Sequence, residues 1–246
     1  MALKAITIDF WNTLFDSSNG TGRNNYRQKH LIQEIDKYGV SIKSDEFESA
    51  MKASWEYFNK IWLNEQRTPT LTESATFFWK QFALPDDDSA IENIARHFGE
   101  AILHHPPNVM SEVKEALQFL SGKYLLGIVS DTGFSPGVVL RELLRQNGLY
   151  DFFKAFSFSD ETGVSKPHPK AFLTVLEQFK FTPEESLHIG DIEQTDIIGA
   201  KKLGMKAIRF MGDPTVALSE EPIATIADFE ASSWGEIVDI INKIEK

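Results

Sequence analysis

The sequence of 246 residues contains no cysteine. This absence excludes disulfide bonds, thiolate metal ligands and a cysteine nucleophile, so any chemistry must come from oxygen and nitrogen groups. The sequence also lacks a run of about 20 apolar residues and an N-terminal segment with a small-residue cleavage site. We therefore predict a cytoplasmic protein that is neither secreted nor inserted into a membrane.

Positive charge is also scarce. The chain has 25 Lys and Arg against 36 Asp and Glu, which gives a net charge of -11 and a pI near 5.0. Such a surface repels nucleic acid phosphates, and we predict no nucleic acid partner. An anionic small-molecule substrate would have to be held by local groups.

Short apolar runs rich in Ile, Val, Leu and Phe predict five strands, at residues 3–8, 124–129, 155–158, 186–189 and 206–211. Helical spacing alternates with them at residues 111–120, 136–146, 167–179 and 196–203. This βα alternation is typical of an α/β fold with a parallel sheet.

Residues 17–105 have a different pattern, with no convincing strand and four amphipathic stretches near 25–38, 44–64, 71–82 and 89–103. We predict an all-helical inserted domain at 17–105 and a core domain made of residues 1–16 and 106–246. Pro106 and Pro107 mark the return to the core. Aromatic residues are abundant in the insert and are predicted to pack its interior; they are Trp55, Tyr57, Phe58, Trp62, Phe77, Phe78, Trp79 and Phe82.

Oxygen-bearing residues end the first four predicted strands: Asp9, then Ser130 and Asp131, then Ser159 and Asp160, then Asp191. In an open parallel sheet these ends share one edge, so distant residues meet there. Gathered carboxylates need a cation, and hard oxygen donors select magnesium. The alternative is that such aspartates cap the following helices, which we predict for Asp160. No obvious helix start follows Asp9.

Four segments resemble the motifs of the haloacid dehalogenase superfamily, in the family's order: IDFWNTLFD (8–16), IVSDT (128–132), VSKPHP (164–169) and IGDIEQTD (189–196). The resemblance covers the whole chain. It implies a doubly wound, Rossmann-like core, with a helical cap inserted between the first and second motifs.

The resemblance also implies catalytic roles. Asp9 would attack the substrate as a nucleophile and form a covalent intermediate that water hydrolyses. Lys166 would be its counter-charge and a phosphate ligand. Ser130, through its hydroxyl, and Asp131, through its backbone N–H, would bind the same phosphate.

A magnesium site is implied as well. By resemblance, Asp191 binds Mg²⁺ directly, together with Asp9 and the backbone carbonyl of Trp11. Asp196 completes the acidic group, and we expect it to orient water or Lys166, with a helix N-cap as a compatible alternative. Four histidines show no metal-ligand spacing and are assigned no chemistry; they are His104, His105, His168 and His188.

Trp11 departs from the family pattern, because phosphatases of the superfamily usually place a second aspartate there. Indole cannot exchange a proton near neutral pH, and loss of a general acid/base costs about 100-fold to 10,000-fold in rate. The favoured function is magnesium-dependent hydrolysis of a small phosphorylated metabolite, with weakened acid/base catalysis.

Three alternatives stay open. The 2-haloacid dehalogenases of the family carry an aromatic residue at the position of Trp11, but an uncharged one at the position of Asp191. A phosphonate-cleaving relative would need a Schiff-base lysine in the insert, where the candidates are Lys29, Lys37, Lys52 and Lys60. The third is a non-catalytic, metal-binding regulatory protein. For any enzyme, residues 16–25 and 106–107 are candidate hinges of the cap.

Overall fold

The computed structural model describes residues 2–213, 215 and 224–244. One sheet contains β1 (Ala5–Ile8), β2 (Leu125–Ser130), β3 (Phe153–Phe158), β4 (Ser186–Gly190), β5 (Lys206–Phe210) and β6 (Phe229–Ala231). The strands pair in parallel in the order β3-β2-β1-β4-β5-β6. The predicted α/β, doubly wound core is therefore confirmed, and the strand order reverses next to β1.

The helices are α1 (Gly20–Ile35), α2 (Ser44–Glu65), α3 (Leu71–Lys80), α4 (Asp88–His104), α5 (Val113–Ser121), α6 (Gly137–Gln146), α7 (Ser159–Thr162), α8 (Pro169–Phe179), α9 (Ile198–Lys202) and α10 (Trp234–Ile244). Within the part of the chain that the structure describes, no helix combines the length and the apolar character needed to cross a membrane.

Two apolar layers hold the sheet. Alternate side chains of β1 point to opposite faces, so Ile6 and Ile8 join one buried cluster with residues of α5, α6 and α10, while Ala5 joins the other with residues of α8 and α9. Each fully buried Ile or Leu contributes about 1.5 to 3 kcal/mol. Burial on both faces explains why these strands read as apolar runs.

Helices α1 to α4 bury a cluster of their own, which includes Phe78, Trp79 and Phe98. This cluster fits the predicted all-helical insert, although the boundaries at 16/17 and 105/106 stay predictions. The predicted core also includes residues 1, 214, 216–223, 245 and 246, which lie outside the described residues.

Some element boundaries were wrong. Helix α1 begins at Gly20 rather than near residue 25, after Asn19 in a left-handed conformation with φ of 60°. Helix α9 begins at Ile198 because Glu193–Ile197 forms a π-helical turn. Strand β6 and helix α10 were not predicted: three residues are too few to show a strand period, and the apolar spacing of α10 was overlooked.

Candidate active site

Two neighbouring strands present acidic residues at the point where the strand order reverses. Asp9 follows β1 and Asp191 follows β4, and Ile8 pairs with Ile189 across the two strands. The backbone N–H of Asp9 donates to the carbonyl of Ile189 at 2.9 Å. Asp196 completes the group, and one carboxylate oxygen of each aspartate lies within 4.8 Å of the others.

Lys166 provides the positive charge of this group. Its Nζ lies 2.5 Å from Oδ1 of Asp9 and 2.7 Å from Oδ1 of Asp196, and the residue is only 3% exposed. The lysine belongs to the loop between α7 and α8, so the third motif meets the first and fourth only in the folded chain.

The carboxylate of Asp196 is fully occupied by hydrogen bonds. Its Oδ1 accepts from Lys166 and pairs with Nε2 of His188 at 2.9 Å. Its Oδ2 accepts from the backbone N–H of Ile192 at 3.2 Å and from the hydroxyl of Thr195 at 3.3 Å. Asp196 lies inside the π-helical turn rather than at a helix N-cap.

His188 joins Asp196 to the centre of the sheet, a contact that the sequence analysis missed. Its ring is fully buried, and Nδ1 lies 2.8 Å from the hydroxyl of Thr7. Burial lowers the pKa of His188, so the ring is neutral. Because a carboxylate only accepts, Nε2 carries the proton toward Asp196. The sequence carried one signal for this contact, because each of the two apolar strands contains a polar residue. These residues are Thr7 and His188, and they are register partners in the sheet.

With all of its carboxylates ionised, the cluster would carry more negative than positive charge. Burial raises the pKa of Asp9 well above its usual value despite Lys166, and burial followed by Asp196 raises the pKa of Asp191 to about 7. Burial opposes ionisation of Lys166 and Asp196, but their mutual attraction keeps the pKa of the lysine high and that of Asp196 low. Three carboxylates around one ammonium group therefore favour a cation.

The donor set fits magnesium. Oδ1 of Asp191 is buried and has no hydrogen-bond partner among the described residues, while Oδ2 accepts only a 3.3 Å bond from Asn12. Hard oxygen atoms without His or Cys ligands are what Mg²⁺ prefers. Trp11 lines the same cavity as Asp9 and Asp191.

The second motif contributes one free hydroxyl, that of Ser130, and one engaged carboxylate, that of Asp131. Ser130 is buried at the end of β2, and its hydroxyl has no partner within the described chain. The Asp131 carboxylate accepts from the backbone N–H of Lys166 and from Nε1 of Trp62, both at 2.9 Å. Burial raises the pKa of Asp131 to about 6. Asp131 can therefore offer an anion only its backbone N–H.

The end of β3 has a structural role. Ser159 accepts the backbone N–H of Thr132 at 2.8 Å, and Asp160 accepts the backbone N–H of Gly137 at 3.1 Å. Asp160 therefore caps α6, whereas the sequence analysis predicted that it caps the helix that follows it.

A cavity of about 460 Å³ lies between the strand ends and the helical insert. Trp55, Phe58 and Trp62 of α2 line it, and Trp55 is 42% exposed. The prediction that the aromatic residues pack the insert is right for Phe78 and Trp79 but wrong for these three. None of Lys29, Lys37, Lys52 and Lys60 lines the cavity, so the phosphonate alternative gains no support.

The two linkers to the insert are joined to each other. The Asp16 carboxylate accepts the backbone N–H of Asn108 at 2.9 Å. Arg23 donates to the carbonyl of Ser18 at 2.7 Å and to that of His105 at 3.2 Å. Because α1 already begins at Gly20, the first candidate hinge is shorter than residues 16–25.

A model of a hydrolase family, the haloacid dehalogenase-like hydrolases, matches residues 3–204. The chain belongs to this family. Two phosphatases are similar in sequence to this haloacid dehalogenase-like hydrolase. A glyceraldehyde 3-phosphate phosphatase of Pyrococcus furiosus is 33% identical over 130 residues, 53% of this chain and 52% of the relative. A phosphoglycolate phosphatase of Vibrio vulnificus is 28% identical over 148 residues, 58% and 59% of the two chains.

The chain thus spans little more than half the length of these relatives. Among solved structures, a 2-haloacid dehalogenase of Pseudomonas syringae has a TM-score of 0.70 at 21% identity and covers 98% of this chain and 99% of its own. This likeness concerns the fold alone. The family model identifies the protein as a haloacid dehalogenase-like hydrolase, and the two sequence relatives are named as phosphatases.

Proposed function

We propose that this hydrolase is a magnesium-dependent phosphohydrolase that acts on a small phosphorylated metabolite through Asp9. The observation that carries the proposal is the 2.5 Å contact between Asp9 and Lys166 beside the unpartnered, buried oxygen of Asp191. A buried carboxylate beside a cation site is suited to attack a phosphoryl group whose negative charge must be neutralised. The sequence relatives named as phosphatases support the same reaction class.

In the proposed reaction, a carboxylate oxygen of Asp9 forms a bond to phosphorus while the bond to the leaving oxygen breaks. Water then attacks the aspartyl phosphate and releases phosphate. Lys166 stabilises the charge on the transferring group, and the Ser130 hydroxyl and the Asp131 backbone N–H bind its oxygens. Trp11 cannot protonate the leaving oxygen, so acyl and aryl phosphates are the best substrates.

The proposed magnesium ligands are Asp9, Asp191 and the backbone carbonyl of Trp11. Bound Mg²⁺ would neutralise charge on the phosphoryl oxygens. Asp196 has no free carboxylate oxygen, so we assign it to positioning Lys166 rather than to direct coordination. Residues 17–105 would act as a cap that covers the cavity and excludes water. A cytoplasmic location remains part of the proposal.

The test measures phosphate release from acetyl phosphate and p-nitrophenyl phosphate with magnesium. Turnover by the wild type that is lost in chelator and in Asp9→Asn would support the proposal. Asp160→Asn is the matched control, because Asp160 caps α6 and lies outside the cluster. Undiminished phosphate release by a correctly folded Asp9→Asn protein would overturn the assignment of the nucleophile.

Dehalogenation is the second candidate, favoured by the aromatic side chain of Trp11 in the cavity. Halide is a good leaving group and needs no proton. Halide release from 2-haloacids that persists in chelator would support this reaction. The third alternative, a non-catalytic regulatory protein, is not favoured, because the family and its phosphatase relatives identify an enzyme.

A further inference from the structure

One cation on the insert side of the cavity has no role in the proposed phosphoryl transfer. Arg27 of α1 lines the same cavity as Asp9 and Lys166, and only 6% of its surface is exposed. No carboxylate of the described residues forms an ion pair with it. A buried charge without an opposite charge is unusual and costly.

The contacts of Arg27 leave part of its hydrogen-bonding capacity unused. Nε and Nη2 share the carbonyl of Phe98 at 3.4 Å, and Nη1 donates to Oδ1 of Asn24 at 3.1 Å. Each terminal nitrogen of a guanidinium carries two N–H groups, so one N–H on each has no protein partner among the described residues. The guanidinium also lies 4.9 Å from the ring centre of Phe134, which supports its plane without accepting a hydrogen bond.

A second arginine adds positive charge at this end of the cavity. Burial and then Arg23 lower the pKa of Arg27 to about 9, so the group is still protonated at neutral pH. Arg23 is less available than Arg27 to bind a ligand, because it already donates to the carbonyls of Ser17, Ser18 and His105. Asp16 offsets the charge of Arg23, whereas no carboxylate of the described residues forms an ion pair with Arg27.

The phosphoryl group is not the anion that Arg27 needs, because the strand-end side of the cavity already has Lys166 and the proposed metal. A planar fork with spare N–H groups matches a carboxylate. We propose that Arg27 binds a carboxylate at the far end of the substrate, so that among phosphorylated compounds the enzyme selects those that also carry a carboxylate. This inference rests on the proposed function and names its substrate class.

The experiment measures equilibrium binding to Asp9→Asn protein with magnesium, so that no turnover interferes. The probes are phosphoglycolate and 2-hydroxyethyl phosphate, which have the same chain length but differ in the carboxylate. We expect the protein with Arg27 to bind phosphoglycolate more tightly, and Arg27→Gln to reduce that preference about 10-fold to 100-fold, the range for one charge-assisted hydrogen-bonded contact. Arg27→Lys, which keeps the charge but not the fork, should keep only part of it.

The possible outcomes distinguish a carboxylate-binding role of Arg27 from a purely structural role, and both from a failure of the proposed function. If Arg27 only supports Phe98 and Phe134, its substitution weakens both ligands equally, and the unchanged ratio overturns the inference. Equal binding of the two probes by the protein that keeps Arg27 also overturns it. If the preference is present but the wild type releases no phosphate from acetyl phosphate or p-nitrophenyl phosphate, the proposed function fails while the carboxylate site stands. Circular dichroism and thermal unfolding of each variant confirm that the compared proteins are folded.

Discussion

Trp62 Nε1 donates a 2.9 Å hydrogen bond to Oδ2 of Asp131, and this bond joins α2 of the insert to the loop that follows β2. Asp131 also accepts the backbone N–H of Lys166 at 2.9 Å. One carboxylate therefore links the insert to the lysine that contacts the proposed nucleophile.

Replacing Trp62 by Phe keeps an aromatic ring in the cavity wall but removes this hydrogen bond. We expect a loss of about 1 kcal/mol in unfolding free energy and a fall of about 5-fold in kcat/KM, because Lys166 loses part of its support. Urea unfolding and phosphate release measure both. Trp55→Phe is the matched control on the same helix, because the Trp55 indole forms no hydrogen bond with the described residues. An equal effect there would contradict the prediction.

Asp131 should make stability depend on pH in metal-free buffer. Its folded-state pKa is raised from 3.8 to about 6, so the native state binds more protons than the unfolded state between these values. Unfolding free energy should therefore fall by about 1 to 3 kcal/mol as the pH rises from 4 to 7, and Asp131→Asn should flatten this part of the curve. Urea unfolding at several pH values tests it, and an unchanged slope in the variant would refute it.

The ionised carboxylate of Asp191 should lower the stability of the metal-free protein, whereas magnesium bound to this carboxylate should raise it. Without metal, Asp191→Asn should stabilise the fold at pH 8, because burial and Asp196 raise the pKa of Asp191 to about 7 and disfavour its ionised form. With magnesium at about 100 times its Kd, the wild type should gain about 2.7 kcal/mol while the variant gains little. Thermal unfolding with magnesium or chelator measures both effects. Equal magnesium responses would remove Asp191 from the metal site.

Trp11→Asp should restore a general acid/base to the cavity. We expect phosphate release from alkyl phosphates, whose leaving groups need a proton, to increase at least about 10-fold, while acyl phosphates change less. Trp11→Asn provides the control of similar size without an ionisable group. A gain shared by both variants would mean that the smaller side chain, rather than proton transfer, is responsible.

Gly190→Ala should disturb the cluster without changing any charge. A Cβ atom at this position would lie 2.4 Å from Cγ of Asp196, so the carboxylate would have to move away from Lys166 and His188. Turnover should fall by more than about 10-fold, since small displacements of positioned groups are costly. Gly122→Ala is the control, because its backbone has an ordinary φ of -73° and its nearest contact would be 3.4 Å. Comparable losses in both variants would contradict this explanation.

The sequence determined the architecture because its strands are buried on both faces. Each predicted strand overlaps an observed one, and the βα alternation implied the parallel sheet. The strand ends after β1 and β4 indicated that Asp9 and Asp191 belong to one edge. Polar residues inside these strands, Thr7 and His188, carried a further signal that was visible but not used.

Only the tertiary structure decided which side chains face the site. The aromatic residues of α2 all look suited to a core, yet Trp55 and Trp62 line the cavity, because the buried face of the helix is occupied by Phe47, Met51 and other residues. Composition could not show that Arg27 lacks a carboxylate partner or that Asp160 caps α6 from 23 positions away. Local patterns encode the burial of a segment, whereas pairing between distant charges depends on how the segments pack, and that information appears only in the folded chain.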